Sequence, residues 1–455
     1  MYNDIYNKEM FVHLHKSNLK FCDPLGGFFE FNGKYWERLH PGLVKKYSMD
    51  VYENLIMDLT NFTGDDTQKG LLAAHVKNTG NVGKLEAMID CSKPDLYEPA
   101  ENFDSNPYLF NCNNGTINLK TFKFQHHSSA DLITKISKVD FLKDAQCPTW
   151  IKFVNDIFLG REEIIDFIQR YLGYSLTPFT KEQCMCIFNG DGRNGKSTFI
   201  ETIRQIFNDY AGVCPTSTLI VKRDEHTIPN DIASLKGCRL VSMIETNQNV
   251  TLDEGCIKKL TGSDMLKVRF LHKEFFEFMP TFKIIFSSNH KPNIRGTDNG
   301  IWRRIRMIPF DFKVEDNNDD RELPLKLKEE LPGILKWIIE GYKKYHESGL
   351  PTPASIMDTT EEYKEEEDSI GQFIEDECDI EEKTYVTIKN FKERIYQYNK
   401  YLLPKAINEY MRKKGWNPKK NRLYIDGQQT RCYIGLSFKN GLKKHIPEDQ
   451  QKWGD

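Results

Sequence analysis

Gly190-Asp191-Gly192-Arg193-Asn194-Gly195-Lys196-Ser197 is the stretch that decides how this chain is read. An apolar, strand-like run, Gln183-Cys184-Met185-Cys186-Ile187-Phe188, precedes it, and a helix-like run, Thr198 to Phe207, follows. Glycines let the backbone curl so that its N–H groups point inward around an anion. A helix N-terminus adds unpaired donors and partial positive charge. In such a loop Gly190 to Thr198 cradle a nucleoside triphosphate. Lys196 faces the β- and γ-phosphates, and the Ser197 hydroxyl ligates Mg²⁺. By residue usage alone such a match arises by chance in roughly one chain in a hundred of this length. The strand–loop–helix setting makes chance rarer still. The ligands expected are therefore ATP and Mg²⁺.

Working outward, Arg239-Leu240-Val241-Ser242-Met243-Ile244-Glu245 is an apolar strand ending in a carboxylate. Glu245 at a strand's carboxyl end is placed to hold the metal's shell or orient the attacking water. Lys283-Ile284-Ile285-Phe286-Ser287-Ser288-Asn289 is a further apolar strand whose Asn289 can bond the γ-phosphate or that water. A strand-ending Asn is also common in plain turns. Trp302-Arg303-Arg304-Ile305-Arg306 follows, and an arginine there can stabilise transition-state charge across a subunit boundary. Between them, Met265 to Phe278 places apolar strands around a polar tip holding His272 and Lys273, the pattern of a hairpin.

Residues 181 to about 345 alternate strands and helices, as a parallel sheet with crossover helices requires. Upstream, Trp150, Phe153, Ile157, Ile164, Phe167, Ile168 and Tyr171 recur at helical spacing. Residues 1 to about 130 read as short strand-like pieces with turns, including hairpins over Gly26–Trp36 and Leu109–Ile117. Gly349-Leu350-Pro351-Thr352-Pro353 breaks structure, and Glu361 to Asp368 holds six acidic residues against Lys364, a linker candidate. Beyond it come helix-like runs and two strands joined by Asp426-Gly427, the layout of a winged helix-turn-helix.

The order of loop, strand-Glu, the Lys-rich Ile257–Asp264 segment with Thr-Gly-Ser-Asp, strand-Asn, Arg-Arg-Ile and Pro-Phe resembles superfamily 3 helicases. These are AAA+ motors of viruses, phages and plasmids. The chain most resembles the helicase half of phage/plasmid primase–helicases and is similar to the poxvirus primase–helicase. The resemblance covers residues about 100–350 closely and the C-terminal segment weakly. It implies an α/β fold with an AAA+ P-loop parallel sheet core, an α+β N-terminal domain, a helical collar and a C-terminal winged-helix domain. The expected divisions are 1–145 (accessory or oligomerisation), 146–350 (motor, with the collar at 146–180), 351–370 (acidic linker) and 371–455 (DNA-binding). By resemblance Lys196, Glu245, Asn289 and Arg304 are catalytic, with Arg303 the rival finger. His272 and Lys273 line a pore that grips single-stranded DNA, and movement is 3′→5′ through a homohexamer. Two departures stand out. Glu245 is followed by Thr246, where many relatives have two adjacent carboxylates. The chain also begins too close to the motor for a primase domain, so no primer synthesis is expected and a separate primase or single-strand binding protein is a candidate partner. That pattern suggests a replication initiator from a phage, plasmid or genomic island.

Composition narrows the partners. The 455 residues carry 63 Lys and Arg against 66 Asp and Glu, which excludes a global polycation argument for nucleic acid. Residues 381–455, however, hold 17 Lys and Arg against 8 acidic residues. Lys413, Lys414, Lys419, Lys420, Arg422 and Arg431 are candidate phosphate contacts to duplex DNA, although a solvated lysine-rich surface is the bland alternative. Eleven scattered cysteines, with no zinc spacing among them, and no apolar run of membrane length point to a reduced, cytoplasmic chain. The rival readings are an ATP-switched origin-binding initiator that recruits a separate helicase, a small-molecule kinase, and a packaging motor.

Overall fold

The computed structural model describes residues 2–221, 230–245, 250–270, 273–294, 299–314 and 320–399, and then 402, 404–416, 422–441, 443–447 and 450. Its centre is a sheet of five strands: β1 (Met185–Asn189), β2 (Ala211–Val213), β3 (Leu240–Glu245), β4 (Lys283–Ser288) and β5 (Ile305–Pro309). They lie in the order β5-β1-β4-β3-β2, and every neighbouring pair is parallel. The parallel α/β reading of residues 181–345 is thus correct. A parallel sheet is covered on both faces, so its inner strands are apolar throughout rather than alternating. Cys186 and Phe188 point into a core shared with helices Pro148–Ile157, Glu162–Ser175, Lys196–Phe207 and Leu331–Ser348. Met185 and Ile187 point the other way, onto Leu219, Ile257 and Trp302. The segment expected as a collar therefore joins the same core as β1.

Helices Glu162–Ser175 and Leu331–Ser348 touch backbone to backbone. A Cβ on Gly173 would sit 2.1 Å from Tyr342 N, and one on Gly341 would sit 2.1 Å from Gln169 O. Around this contact, Gln169 Nε2 donates to Trp337 O at 2.9 Å and Lys344 Nζ bonds Asp166 at 2.8 Å.

Three stretches differ from the sequence reading. The N-terminal region is not only strands and turns. Four helices, Asp4–His15, Pro41–Thr60, Asp66–Thr79 and Val82–Ser92, accompany the antiparallel sheet Leu19–Cys22, Gly27–Phe31 and Trp36–Arg38. Both expected hairpins are present, with Phe31 opposite Trp36 and Cys112 opposite Gly115. Second, the acidic linker is a helix, Ala354–Glu367, seated on the sheet. Ile356 and Tyr363 are fully buried, Tyr363 packs against Trp302, and Met307 N donates to Thr360 Oγ1 at 3.1 Å. Spacings of four and seven residues put these groups on one face and leave most of the acids to water, which holds a charged segment in helical form. Third, the C-terminal region holds a strand, Cys378–Thr387, beyond the two expected around Asp426-Gly427. There the elements run helix Ser369–Glu377, that strand, helices Ile388–Tyr398 and Pro404–Lys413, then strands Arg422–Ile425 and Gln428–Phe438. The long last strand lies between the other two. Phe373, Phe391, Ile395 and Tyr433 form a separate core. Among the described residues, no helix is long and apolar enough to cross a membrane.

Candidate functional site

β1 ends at Asn189, and the following helix begins at Lys196, so residues 190–195 form the turn between them. Gly195 has φ +85°, a left-handed value, and a Cβ there would meet Ile157 Cγ2 at 2.7 Å. Arg193 also sits at φ +62°, sparsely populated for a side-chain-bearing residue. The loop is held from the β5 side. Phe310 N donates to Asn189 O at 2.8 Å and Val314 N donates to Arg193 O at 2.9 Å. Asn194 Nδ2 donates to Phe310 O at 3.2 Å. No side chain caps the helix, so its first-turn N–H groups face the loop, as an anion site needs. Lys196 is buried and folds back over the turn, donating to Gly190 O and, at 3.0 Å, to Asn194 Oδ1. Burial lowers its pKa below the usual lysine value, with Asp191 pulling the other way. Ser197 is exposed. These donors and this hydroxyl fit a triphosphate with its metal.

Register brings the second carboxylate to the same edge. Ser288 of β4 pairs with Glu245 on one side and with Asn189 on the other, so the carboxyl ends of β3, β4 and β1 form one row. At ordinary strand spacing Glu245 stands about 10 Å from β1, which leaves room for a phosphate, a metal and a water between. Glu245 is buried, and Asn289, next after β4, is exposed. Lys196, Ser197, Glu245 and Asn289 are thereby gathered at one end of the sheet.

The arginines are not. Arg304 O accepts from Met185 N at 2.8 Å, at the start of β1, so Arg303 and Arg304 lie at the opposite end. Arg304 is buried and its Nη1 donates to Gly300 O at 2.5 Å. Arg303 is exposed and its Nη2 donates to Gln183 Oε1 at 2.9 Å. The five residues of β1 separate both from this chain's own loop by about 16 Å.

The hairpin Leu266–Val268 and Phe276–Phe278 is antiparallel, with Leu266 opposite Phe278. Lys273 is exposed near its tip, and His272 lies outside the described residues. The sequence reading passed over what surrounds it. Arg269 and Lys267 lie over the Phe275 ring at 4.7 and 5.6 Å, and Lys236 lies over Phe276 at 5.1 Å. The alternation Lys267-Val268-Arg269 was the available signal for part of this cluster. In the C-terminal region Lys414, Arg422 and Arg431 are exposed. Lys413 belongs to a helix but its side chain lies outside the described atoms, as do Lys419 and Lys420 altogether.

Fold and site define an α/β protein with a glycine-rich loop and a carboxylate at the carboxyl edge of a parallel sheet. Residues 8–159 match the family described as "D5 N terminal like", and residues 188–304 match a "Family of unknown function (DUF5906)". The chain is 26% identical over 323 residues to "Putative helicase L207/L206" of Acanthamoeba polyphaga mimivirus, covering 66% of this chain and 33% of the relative. It is 24% identical over 470 residues to "Putative helicase 184R" of Invertebrate iridescent virus 6, covering 84% and 48%. It is 23% identical over 405 residues to "Putative primase C962R" of African swine fever virus, covering 78% and 42%. The chain thus spans less than half the length of these relatives. Among solved structures, the NrS-1 C-terminal region aligns at 13% identity and TM-score 0.40, over 66% of this chain and 78% of that one. Together these matches make the chain similar, over its first third, to D5 N-terminal-like sequences and, over most of its length, to viral proteins named as putative helicases or primases.

Proposed function

We propose that this chain is the motor of an ATP-dependent DNA helicase, an AAA+ ring in which Lys196, Ser197 and Glu245 hold the triphosphate and Mg²⁺. The observation that carries it is the row Glu245–Ser288–Asn189, which puts a strand-end carboxylate beside the glycine-rich loop. Mg²⁺-ATP supplies the anhydride to be cleaved. Lys196 offers a charge to the phosphates, Glu245 orients a water, and Asn289 bonds that water or the γ-phosphate. Arg304 or Arg303 serves the neighbouring subunit's nucleotide, and their place at the far end of the sheet supports a role in trans within a homohexamer. Cations and rings at the Lys273 hairpin suit a strand whose phosphates are held without reading bases. Translocation is 3′→5′. The C-terminal winged-helix unit takes duplex or origin DNA through Lys413, Lys414, Lys419 and Lys420, and helices 146–180 brace the ring as its collar. The names of the viral relatives support replication as the setting.

The test is ATP hydrolysis and forked-duplex unwinding by the purified chain, with and without single-stranded DNA, beside Lys196→Ala. DNA-stimulated hydrolysis and unwinding, both lost in Lys196→Ala, are expected. Hydrolysis indifferent to DNA and no unwinding would refute the motor.

A further inference from the structure

The helix Ala354–Glu367 ends in acids, although the last turn of a helix carries the negative end of the backbone dipole and favours cations. Glu366, Glu367 and Asp368 follow one another there. Each has a partner that accounts for it. Glu366 pairs with Lys291 Nζ at 2.6 Å, Glu367 Oε2 accepts from Ile294 N at 2.8 Å, and Asp368 Oδ1 caps the next helix by accepting from Gly371 N at 2.8 Å. One turn earlier the buried Tyr363 hydroxyl donates to Pro292 O, and Lys291 Nζ lies 5.8 Å from its ring. Tyr363, Glu366 and Glu367 thus hold Lys291, Pro292 and Ile294, all just beyond Asn289.

What they hold is the exit of β4. The hydroxyl of Ser288, the last residue of that strand, accepts from His290 N at 3.2 Å and donates to His290 O at 2.7 Å. Asn289 is therefore turned out to solvent on a closed bend. The chain then runs beside the segment that follows Glu245. Asn293 N donates to Val250 O at 2.7 Å, and Leu252 N donates to Asn293 O at 2.9 Å. The acidic helix, itself tied to β5 through Thr360, adds the second hold. Within that hold a half-buried carboxylate on a main-chain N–H counts for more than the largely exposed Lys291–Glu366 pair, so Glu367 is the main grip. We propose that Glu367, with Tyr363, is a positioning residue for ATP hydrolysis, acting through the main chain of residues 291–294 to set where the Asn289 amide meets the attacking water. A displacement of about 1 Å at a reacting centre can cost about a hundredfold in rate, so an exposed asparagine needs its loop fixed. This inference rests on the glycine-rich loop and Asn289 forming the hydrolysis site.

Steady-state ATP hydrolysis by the full chain tests it. Glu367→Ala should lower kcat about tenfold while KM changes less than about twofold. Glu367→Gln, which can still accept from Ile294 N, should restore most of that loss. Tyr363→Phe keeps the ring against Trp302 and deletes only the bond to Pro292 O, so it reads the same hold with the core intact; a smaller loss of kcat at unchanged KM is expected. Glu362→Ala, at an exposed position on the same helix, is the control and should match wild type. Combining Glu367→Ala or Tyr363→Phe with Asn289→Ala separates positioning from general loosening, because a residue that acts through Asn289 adds no loss once Asn289 is gone. Losses that multiply in the double variants, or wild-type kcat in both Glu367→Ala and Tyr363→Phe, would overturn the positioning role while leaving the site assignment standing. Wild-type turnover in Asn289→Ala would overturn the Asn289 assignment and this inference with it.

Discussion

Gly341→Ala sets two effects of opposite sign against each other. Gly341 lies inside helix Leu331–Ser348, where replacing glycine by alanine normally stabilises by about 1 kcal/mol. Here the new Cβ would stand 2.1 Å from Gln169 O and 2.6 Å from its carbonyl carbon, against 3.4 Å for ordinary contact. The obstacle is backbone, so the helices must part by about 1.3 Å. Parting them loosens the Gln169-to-Trp337 bond and the Tyr174–Tyr345 ring contact at 4.6 Å between centroids. Overpacking of this kind costs about 1–3 kcal/mol or more and weakened hydrogen bonding adds about 1, so the clash outweighs propensity and leaves a net loss of about 2 kcal/mol. In a unit of this size that is a fall of roughly 4–8 °C in Tm. Gly70→Ala is the control: Gly70 is an exposed helical glycine with nothing within 4 Å of its Cβ position, so the change should raise stability. Thermal unfolding of the two variants beside wild type decides the matter. A Tm for Gly341→Ala equal to or above wild type would refute the close-packing reasoning.

Three further outcomes are expected. Glu245→Gln should retain ATP binding by calorimetry and lose turnover by about 10²-fold or more, the scale of a misplaced general base; undiminished turnover would remove Glu245 from the site. The lowered Lys196 pKa gives a pH dependence. A bound triphosphate favours the charged ammonium, so binding takes up a proton once the pH exceeds the lowered apo value. ATP affinity should therefore fall as pH rises through that value, below the usual lysine 10.5, and Lys196→Arg should flatten the profile. Lys273→Ala should weaken single-stranded DNA binding and reduce the slope of log K against log salt by about 0.7 for each phosphate that is no longer neutralised. An unchanged slope would place Lys273 off the DNA.

Legibility varied with how local each signal was. The Gly190–Ser197 loop and the Leu240–Glu245 and Lys283–Ser288 strands were readable because their backbone needs are met by neighbouring residues. The N-terminal helices were hidden. Pro41–Thr60 buries Val44, Val51 and Leu55 yet leaves Leu43, Met49, Ile56 and Met57 exposed, so apolar residues fall on every side and the helical period is blurred. The Ala354–Glu367 helix was masked by its charge, since its burial depends on Ile356 and Tyr363 finding Trp302 and β5.

By itself the sequence determined that a strand, a glycine-rich turn and a helix follow one another at Gly190, and that carboxylate, amide and arginines come later in that order. Glycine torsions, strand apolarity and helix periodicity are short-range properties, carried by contiguous side chains. It took the packed sheet to set Glu245 opposite Ser288, and Ser288 opposite Asn189, in one row, and to start Arg303 and Arg304 from the far end of the sheet. Those relations join residues far apart along the chain, and they exist because burying both faces of a parallel sheet fixes the order of its strands.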